Sequence, residues 1–195
     1  EALRQYSEKV KIFCQAGRIA VPGAGRKNRE LLSYLEDSVV EVTPPTGVGV
    51  FHPKTWTLRF VGDDDQPIIY RFICSSRNLT FDRSWDTVLV LEGEYKDRVN
   101  AIGRNNHLGE FIRTLPDLAV NRVPRGIGDF IDEFDYDVRR VDFALPEKVD
   151  DLEFHPLGLG IVPNNPFNFH YSRLMIVSPF LSSGRLEKLS KDVRE

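Results

Sequence analysis

A histidine and a lysine occupy alternate positions of an extended segment near the middle of the first half of the chain. His52 and Lys54 fall within Val48–Val61 (VGVFHPKTWTLRFV), whose apolar and β-branched residues predict a strand. Because successive side chains of a strand alternate between faces, both point the same way as Trp56. An imidazole can attack phosphorus or protonate a leaving oxygen, and an ammonium group can bind the non-bridging oxygens of a phosphate.

A second polar cluster follows the next predicted strand, Pro67–Ser75 (PIIYRFICS). The acidic turn Gly62–Gln66 joins the two strands as a hairpin. In a simple antiparallel register, the end of the second strand, with Ser75–Asn78 (SSRN), lies beside the histidine and the lysine. The amide of Asn78 adds donors for phosphate oxygens. The sequence therefore predicts a phosphoryl-transfer site that uses no metal.

The complete pattern resembles the half-site of the phospholipase D superfamily. It consists of His-x-Lys, a hairpin, Ser-Ser-x-Asn-Leu-Thr and an acidic residue before a further predicted strand, Thr87–Glu92. The superfamily includes phospholipases, nucleases without metal cofactors and the tyrosyl-DNA phosphodiesterases. In such proteins two half-sites meet at a pseudo-twofold axis. One histidine forms a phosphohistidine intermediate, and the other acts as acid and base.

The resemblance assigns roles to individual positions. The residues that match the family's motif are His52, Lys54, Ser76, Asn78 and Asp86. It implies that His52 is the nucleophile or the general acid, that Lys54, Asn78 and Ser76 hold phosphate oxygens, and that Asp86 fixes the imidazole tautomer. It implies no metal and no other cofactor. The remaining histidines, His107, His155 and His170, lack the spacing of metal ligands.

One position departs from the family pattern. The common pattern has an aspartate five residues after the lysine, where this chain has Arg59. The phosphodiesterase branch also lacks that aspartate, so the departure changes the expected branch and retains the site. The phrase SSRNLTFDRSWD resembles nucleic-acid enzymes more than lipid enzymes, and nucleases of bacterial restriction or phage-defence systems are the analogy it suggests.

Two tryptophans flank the predicted site. Trp56 and Trp85 are suited to stacking on a base or sugar, although aromatic residues of strands more often belong to the core. Arg77 and Trp85 are the further candidates for substrate contacts. Both interpretations of the tryptophans, stacking surface and core, stay open at the level of sequence.

The order of elements predicts an α/β fold with a mixed β-sheet flanked by helices, of phospholipase D-like type. Val10–Cys14 and Val39–Val42 are further predicted strands, and Leu108–Leu115 and Ile127–Arg140 have apolar residues at helical spacing. We expect residues 1–155 to form a first repeat, with a helical insertion at about 100–155 and a connector at 156–171.

The C-terminal segment, residues 172–195, resembles the start of a second repeat that is truncated. Arg173–Ser178 (RLMIVS) reads as its buried opening strand, and a helix begins near Gly184. The resemblance implies that a second His-x-Lys site would follow further on. The second half-site would then come from the missing C-terminal repeat or from a homodimer.

Composition limits the partners. The net charge is 26 − 29 = −3, which argues against a surface coated in positive charge but leaves room for a local basic cleft. Two cysteines within apolar strings favour a reduced, cytoplasmic location, and no apolar run approaches the roughly 20 residues needed to span a bilayer. We therefore expect no membrane partner and a nucleic acid, with DNA favoured, as the substrate. The alternatives are a non-catalytic phosphate- or DNA-binding module of a larger complex, and a lipid phospholipase D.

Overall fold

The computed structural model describes residues 5–19, 33–63, 66–78, 83, 85–161, 172–176 and 182–191. The described strands are β1 Ile12–Gln15, β2 Val39–Val42, β3 Thr55–Phe60, β4 Ile69–Ser75, β5 Val88–Tyr95 and β6 Val141–Phe143. The described α-helices are α1 Asn106–Thr114, α2 Ile127–Val138 and α3 Ser183–Ser190. Short 3-10 turns lie at Ser7–Lys9, Glu36–Ser38, Gly103–Asn105 and Leu115–Leu118. The fold is mixed α/β.

The strands form two sheets. β1 and β2 are a parallel pair, while β3, β4, β5 and β6 form an antiparallel sheet in that order. The hairpin of β3 and β4 is confirmed, with a register that runs from Thr55 opposite Cys74 to Phe60 opposite Ile69. This hairpin brings the two polar clusters identified in the sequence to the same end of the antiparallel sheet.

Two helices cover one face of the antiparallel sheet. Alternate residues of β4, Tyr70 and Phe72, are buried and belong to one core cluster with Phe111 of α1 and Ile131 of α2. In both helices the apolar residues recur every three or four positions, which places them on a single side. The predicted helices at 108–115 and 127–140 are therefore confirmed, with ends that differ by one or two residues.

The opposite face of this sheet is open and carries both apolar side chains and the ion pair of Arg71 and Glu92. Trp56 and Phe60 of β3 are 47% and 46% exposed, and Val88 and Val90 of β5 are 57% and 50% exposed. The interpretation of the tryptophans as core residues is wrong, since Trp85 is also 94% exposed. Alternation along β3 places Trp56 opposite Ile73, on the side that α1 and α2 do not cover.

Arg59 belongs to a charged network on the covered face. Its side chain contacts Asp137 of α2 at 3.2 Å and Glu133 at 3.1 Å. The hydroxyl of Tyr70 donates a hydrogen bond to the same Asp137 oxygen at 2.8 Å. Arg59 thus connects β3 to α2.

Several boundaries differ from the predictions. Residues 48–54 are not strand, because positive φ angles at Gly47 and Gly49 turn the chain before β3 begins. The three-residue strand β6 was not predicted, being too short to show a period. Residues 173–176 are exposed and outside any strand, so the buried strand predicted there is wrong for them. An apolar run becomes a strand only where a sheet edge accepts its backbone, and these residues pair with no strand of the described chain.

Some predictions lie outside the described residues. They are positions 177 and 178 of the C-terminal strand, and His170. In the part of the chain that is described, no helix is long and apolar enough to cross a membrane.

Candidate functional site

The hairpin positions the candidate site through backbone contacts at the end of β4. The amide of Ser75 donates to the carbonyl oxygen of Lys54 at 2.9 Å, and the Ser75 hydroxyl donates to the same oxygen at 3.2 Å. The hydroxyl also lies 3.0 Å from the carbonyl oxygen of Arg77, to which it can donate. The antiparallel pairing therefore continues past β3, and the predicted placement of 75–78 beside the lysine is confirmed at Ser75.

His52 and Lys54 are in direct contact. The Lys54 Nζ lies 2.9 Å from Nδ1 and 3.0 Å from Nε2 of the imidazole, and 3.4 Å from the carbonyl oxygen of His52. Pro53 stands between them. A proline disfavours the helical conformation of the preceding residue and has a fixed φ, which keeps this short segment extended. Partial burial lowers the pKa of Lys54 from its ordinary value.

A second group of side chains forms around Asp86, at the start of β5. The Ser76 hydroxyl donates to Asp86 Oδ1 at 2.8 Å, and Arg77 Nε contacts Asp86 Oδ2 at 3.0 Å. The backbone amide of Thr87 donates to the Ser76 hydroxyl at 3.0 Å. Ser76 is therefore held from both sides, and Arg77 is aligned by a charge-assisted hydrogen bond.

The predicted residues fall into two groups, His52 with Lys54 and Ser76 with Arg77 and Asp86. Ser75, the last residue of β4, pairs with Lys54 and directly precedes Ser76. Both carboxylate oxygens of Asp86 are engaged by Ser76 and Arg77, so the role of this acid in orienting His52 stays a prediction. Asn78 follows directly and is exposed, and its role in binding phosphate also stays a prediction.

The sequence did not identify Ser75 as the link between β4 and Lys54. Its position at the end of a predicted strand was the available signal, since the last residue of a hairpin strand still pairs with its neighbour. The sequence also did not bring together His107 and His155, whose rings lie 6.0 Å apart, with Glu153 3.1 Å from His155 Nε2. Within the described chain, no three His, Cys, Asp or Glu side chains are grouped so that they could hold a metal ion.

The cysteines are not candidates for the nucleophile. Cys14 and Cys74 are both free and half-buried. Burial raises the pKa of each thiol, and at Cys14 the charge of Glu41 raises it further. Since the thiolate is the reactive form, burial keeps both groups in the unreactive thiol form at neutral pH.

The end of the hairpin therefore carries an imidazole and an ammonium group in contact with each other, and a hydroxyl and a guanidinium group that Asp86 holds. The charge of these donors suits a phosphate group more than a neutral ligand. Comparison of the chain with models of known protein families, with curated proteins and with solved structures finds no significant match.

Proposed function

We propose that this chain supplies one half of a metal-independent phosphodiesterase site that acts on nucleic acid, within a phospholipase D-like fold. The observation that carries the proposal is the contact between Lys54 Nζ and both ring nitrogens of His52, at 2.9 and 3.0 Å. This pair lies next to the end of β4, which is where the family's Ser-x-Asn segment stands. DNA is the favoured substrate, and a nuclease of a bacterial restriction or defence system is the corresponding biological role.

The proposed reaction has two steps. In the first, a ring nitrogen of a histidine forms a bond to phosphorus while the bond from phosphorus to the leaving oxygen breaks, and that oxygen takes a proton from an acid on the opposite side. In the second, water attacks phosphorus, gives up a proton to the same group, and the bond between nitrogen and phosphorus breaks. His52 serves as the nucleophile or as the acid, and a second half-site supplies the other group.

Lys54 has a different partner before and after substrate binds. In the present arrangement its ammonium group lies 2.9 and 3.0 Å from the two ring nitrogens of His52 and contacts the imidazole that would carry out the attack. A phosphate oxygen carries more negative charge and competes for the same donor. When Lys54 turns to the phosphate, it stabilises the charge that develops on the oxygens and leaves the imidazole available.

Ser76, Arg77 and Asp86 form the second side of the proposed site. The carboxylate of Asp86 holds the hydroxyl and the guanidinium group in fixed positions, which lowers the entropy cost of binding an anion there. Asn78 adds its amide at the end of this segment. Trp85 is almost fully exposed beside Asp86 and is proposed as a further substrate contact.

A phosphodiester with a good leaving group tests the proposal on the 195-residue chain. Bis(p-nitrophenyl) phosphate releases p-nitrophenolate without help from an acid, so one half-site suffices for the first step when His52 is the nucleophile, which is the assignment that this assay tests. We expect release by the wild-type chain, at least as a burst of one equivalent, and loss of this release in His52→Ala and Lys54→Ala. His107→Ala, which removes an imidazole outside the site, is the matched control and should release as the wild type does.

Two further outcomes decide between the candidate functions. Release that survives EDTA agrees with the mechanism, whereas abolition by EDTA and rescue by magnesium would contradict it. Release that continues in His52→Ala places the chemistry elsewhere. A chain that binds phosphate at Lys54 and releases nothing contradicts His52 as the nucleophile, which leaves His52 as the acid or the chain as a non-catalytic binding module.

A further inference from the structure

An apolar cleft of about 490 Å³ lies between two strands of different sheets, β1 and β3. Residues 9–13 form one wall and residues 55–60 the other, and apolar side chains of α1 and α2 form the floor. We call this feature the β1–β3 cleft. The side chains of Lys54 and Trp56 point to the open face of the sheet, away from these helices, so the cleft is separate from the candidate site.

The wall formed by β3 is an unpaired strand edge. The amide of Ser75 donates to the carbonyl oxygen of Lys54 at 2.9 Å, which makes these residues a hydrogen-bonded pair of the antiparallel ladder. Because such pairs alternate, every second residue of β3 directs its backbone N–H and C=O away from β4. These residues are Thr55, Thr57 and Arg59. Within the described chain, these backbone groups have no hydrogen-bond partner.

The wall formed by β1 is the edge of the parallel pair. Ala16 donates its amide to the carbonyl oxygen of Val42 at 2.9 Å, and alternate residues of a parallel strand bond to the same neighbour. Phe13 belongs to the other set, so its backbone is directed away from β2. A side chain joins the two walls, since the amide of Phe51 donates to Gln15 Oε1 at 2.6 Å. Two strand edges that do not pair with each other therefore flank an apolar floor.

The charged groups of the cleft are cations, although the whole chain has a net charge of −3. Lys9, Lys11 and Arg59 line the cleft, and no aspartate or glutamate is among the described lining residues. Arg59 is bound to two acids of α2. Lys11 Nζ lies 5.9 Å from the centre of the Phe130 ring, and neither lysine has a carboxylate partner among the described residues. The two lysines therefore favour an anionic occupant.

We propose that the β1–β3 cleft binds an acidic peptide of a partner protein, in extended conformation, as a strand inserted between β1 and β3. The peptide backbone bonds to both edges, and its alternate apolar side chains contact the floor. Acidic side chains of the peptide contact Lys9 and Lys11. A helical peptide would leave both edges unpaired, because its backbone groups bond to one another.

Synthetic peptides test this proposal by fluorescence anisotropy with the 195-residue chain. The acidic probe is EEVTVTVEE, labelled and with blocked ends. Its alternate valines supply one apolar side, and the glutamates at both ends can reach the lysines whichever way the peptide runs. The neutral probe is QQVTVTVQQ. We expect the acidic probe to bind about 1.5- to 5-fold more tightly for each ion pair formed, and this preference to disappear at high salt.

N-methylated probes distinguish insertion between two edges from pairing with one edge. Successive backbone N–H groups of a strand point to opposite sides. A methyl group on the central valine therefore removes a hydrogen bond to one wall, and a methyl group on the next threonine removes one to the other wall. We expect each single methylation to weaken binding about 2- to 12-fold, the net contribution of one hydrogen bond.

Substitutions in the chain separate charge from backbone pairing. Lys9→Gln and Lys11→Gln should each reduce the preference for the acidic probe, whereas Lys148→Gln, at an exposed lysine outside the cleft, should not. Thr57→Pro removes an N–H group directed into the cleft and should weaken both probes at least about twofold. Thermal melting verifies that each variant is folded, and the methylated probes test the pairing without any substitution.

Three results would overturn the proposal. They are no binding of the acidic probe, equal affinity for the acidic and neutral probes, and weakening by methylation at only one of the two positions or at neither. Self-association that is lost in both Thr57→Pro and Met175→Asp would also overturn it, because the exposed residues 173–176 of a second copy would then occupy the cleft.

Discussion

At the scale of single residues, the contact between Lys54 and His52 depends on the proline between them. Pro53 keeps the segment extended, so the two side chains leave the backbone on the same side and meet. Partial burial also disfavours the charged form of Lys54 and lowers its pKa.

The pKa of Lys54 predicts how phosphate binding depends on pH. Its pKa is lowered from 10.5, so the ammonium group that binds the anion is lost at a lower pH than for an exposed lysine. Affinity for dimethyl phosphate should be constant at neutral pH and fall about tenfold per pH unit above that pKa. Calorimetric titrations between pH 7 and 11 measure this decline, with circular dichroism to verify that the chain stays folded.

Lys54→Arg provides the control for that measurement. A guanidinium group keeps its charge throughout this range, so the decline should disappear from the variant while binding at neutral pH is retained. The same decline in Lys54→Arg would assign it to another group and would contradict the proposed role of the lysine.

Arg59 shows how a single position can depart from a family pattern for a structural reason. Its guanidinium group satisfies Asp137, which is only 7% exposed, and reaches Glu133 as well. An aspartate at this position would place a third carboxylate beside these two. The aspartate of the pattern that the sequence resembles is therefore incompatible with this network.

We predict that Arg59→Asp destabilises the chain and gains no activity. Removing one partner of a buried ion pair costs about 3–5 kcal/mol, a value reduced here because the Arg59 side chain is partly exposed, and the added like charge increases the cost. Arg59→Met, which removes the partner without adding a charge, should lose less. Urea denaturation of both variants measures the difference, and equal stabilities would show that repulsion at this position is unimportant.

At the scale of elements, the network around Asp137 connects the antiparallel sheet to α2. Tyr70 is fully buried and donates to the same carboxylate oxygen that Arg59 contacts. Burial, together with the hydrogen bond to Asp137, raises the pKa of Tyr70 well above its ordinary value of 10.0. The folded chain therefore holds this proton more tightly than the unfolded chain does.

Because the pKa of Tyr70 is higher in the folded chain than in the unfolded chain, we expect Tyr70 to make the fold less stable in alkali. Below pH 10 the contribution of the raised pKa is fully present. Above pH 10 the unfolded chain releases the proton and the folded chain retains it, so the free energy of unfolding falls by about 1.4 kcal/mol per pH unit. Tyr70→Phe should be less stable by about 1.5–3 kcal/mol at neutral pH, because Asp137 loses a donor.

The two stability curves should converge as the pH rises from 10. Urea denaturation of the wild type and of Tyr70→Phe, at intervals from pH 7 to 11, tests this. If the stabilities of the two proteins stay parallel above pH 10, Tyr70 has the same pKa in the folded and the unfolded chain.

The elements that the sequence predicted well are those with a clear period. Helix α2 has five apolar positions on one side, and the hairpin of β3 and β4 follows from two alternating strings around an acidic turn. The network of Arg59, Tyr70 and Asp137 could not be predicted from local patterns. Asp137 is 67 residues from Tyr70 and 78 residues from Arg59 along the chain. Their meeting depends on how α2 packs on the sheet, which local patterns do not encode.

The candidate site also has contacts that the sequence predicts and contacts that it does not. The pairing of Lys54 with Ser75 follows from the register of one hairpin and was predictable. The hydrogen bonds of Asp86 with Ser76 and Arg77 are one of several possible pairings among neighbouring polar groups, and the sequence does not select among them. The exposure of Trp56 could not be predicted either. Its strand is as rich in apolar residues as a strand that is covered on both faces.

At the scale of the whole molecule, the two faces of the antiparallel sheet differ in what they contact. Helices α1 and α2 cover one face, and the other carries Trp56, Val88 and Val90 in the open. Lys54 precedes β3 on this open side, so the candidate site adjoins an open sheet surface rather than a second set of described helices. A half-site that meets another half-site needs such an accessible face.

We predict that this chain, as a monomer, cleaves DNA poorly even though it releases p-nitrophenolate from the activated diester. The leaving oxygen of DNA is strongly basic and needs a proton donor in line with the attack, whereas His52 can act on only one side of phosphorus. The second group would come from a C-terminal repeat or from a twofold-related copy, in which each chain presents the same patch. Size-exclusion chromatography with light scattering and DNA cleavage assays test this together.

Mixtures of wild-type chain with His52→Ala distinguish the two sources of the second imidazole. If two copies form one composite site, cleavage falls with the square of the wild-type fraction, because one variant subunit inactivates the pair. If the second group belongs to a C-terminal repeat, the 195-residue chain stays weak at every concentration, and a chain that continues through a second His-x-Lys segment is active. A monomer of these residues that cleaves DNA strongly, and does so equally as His52→Ala, would refute the half-site.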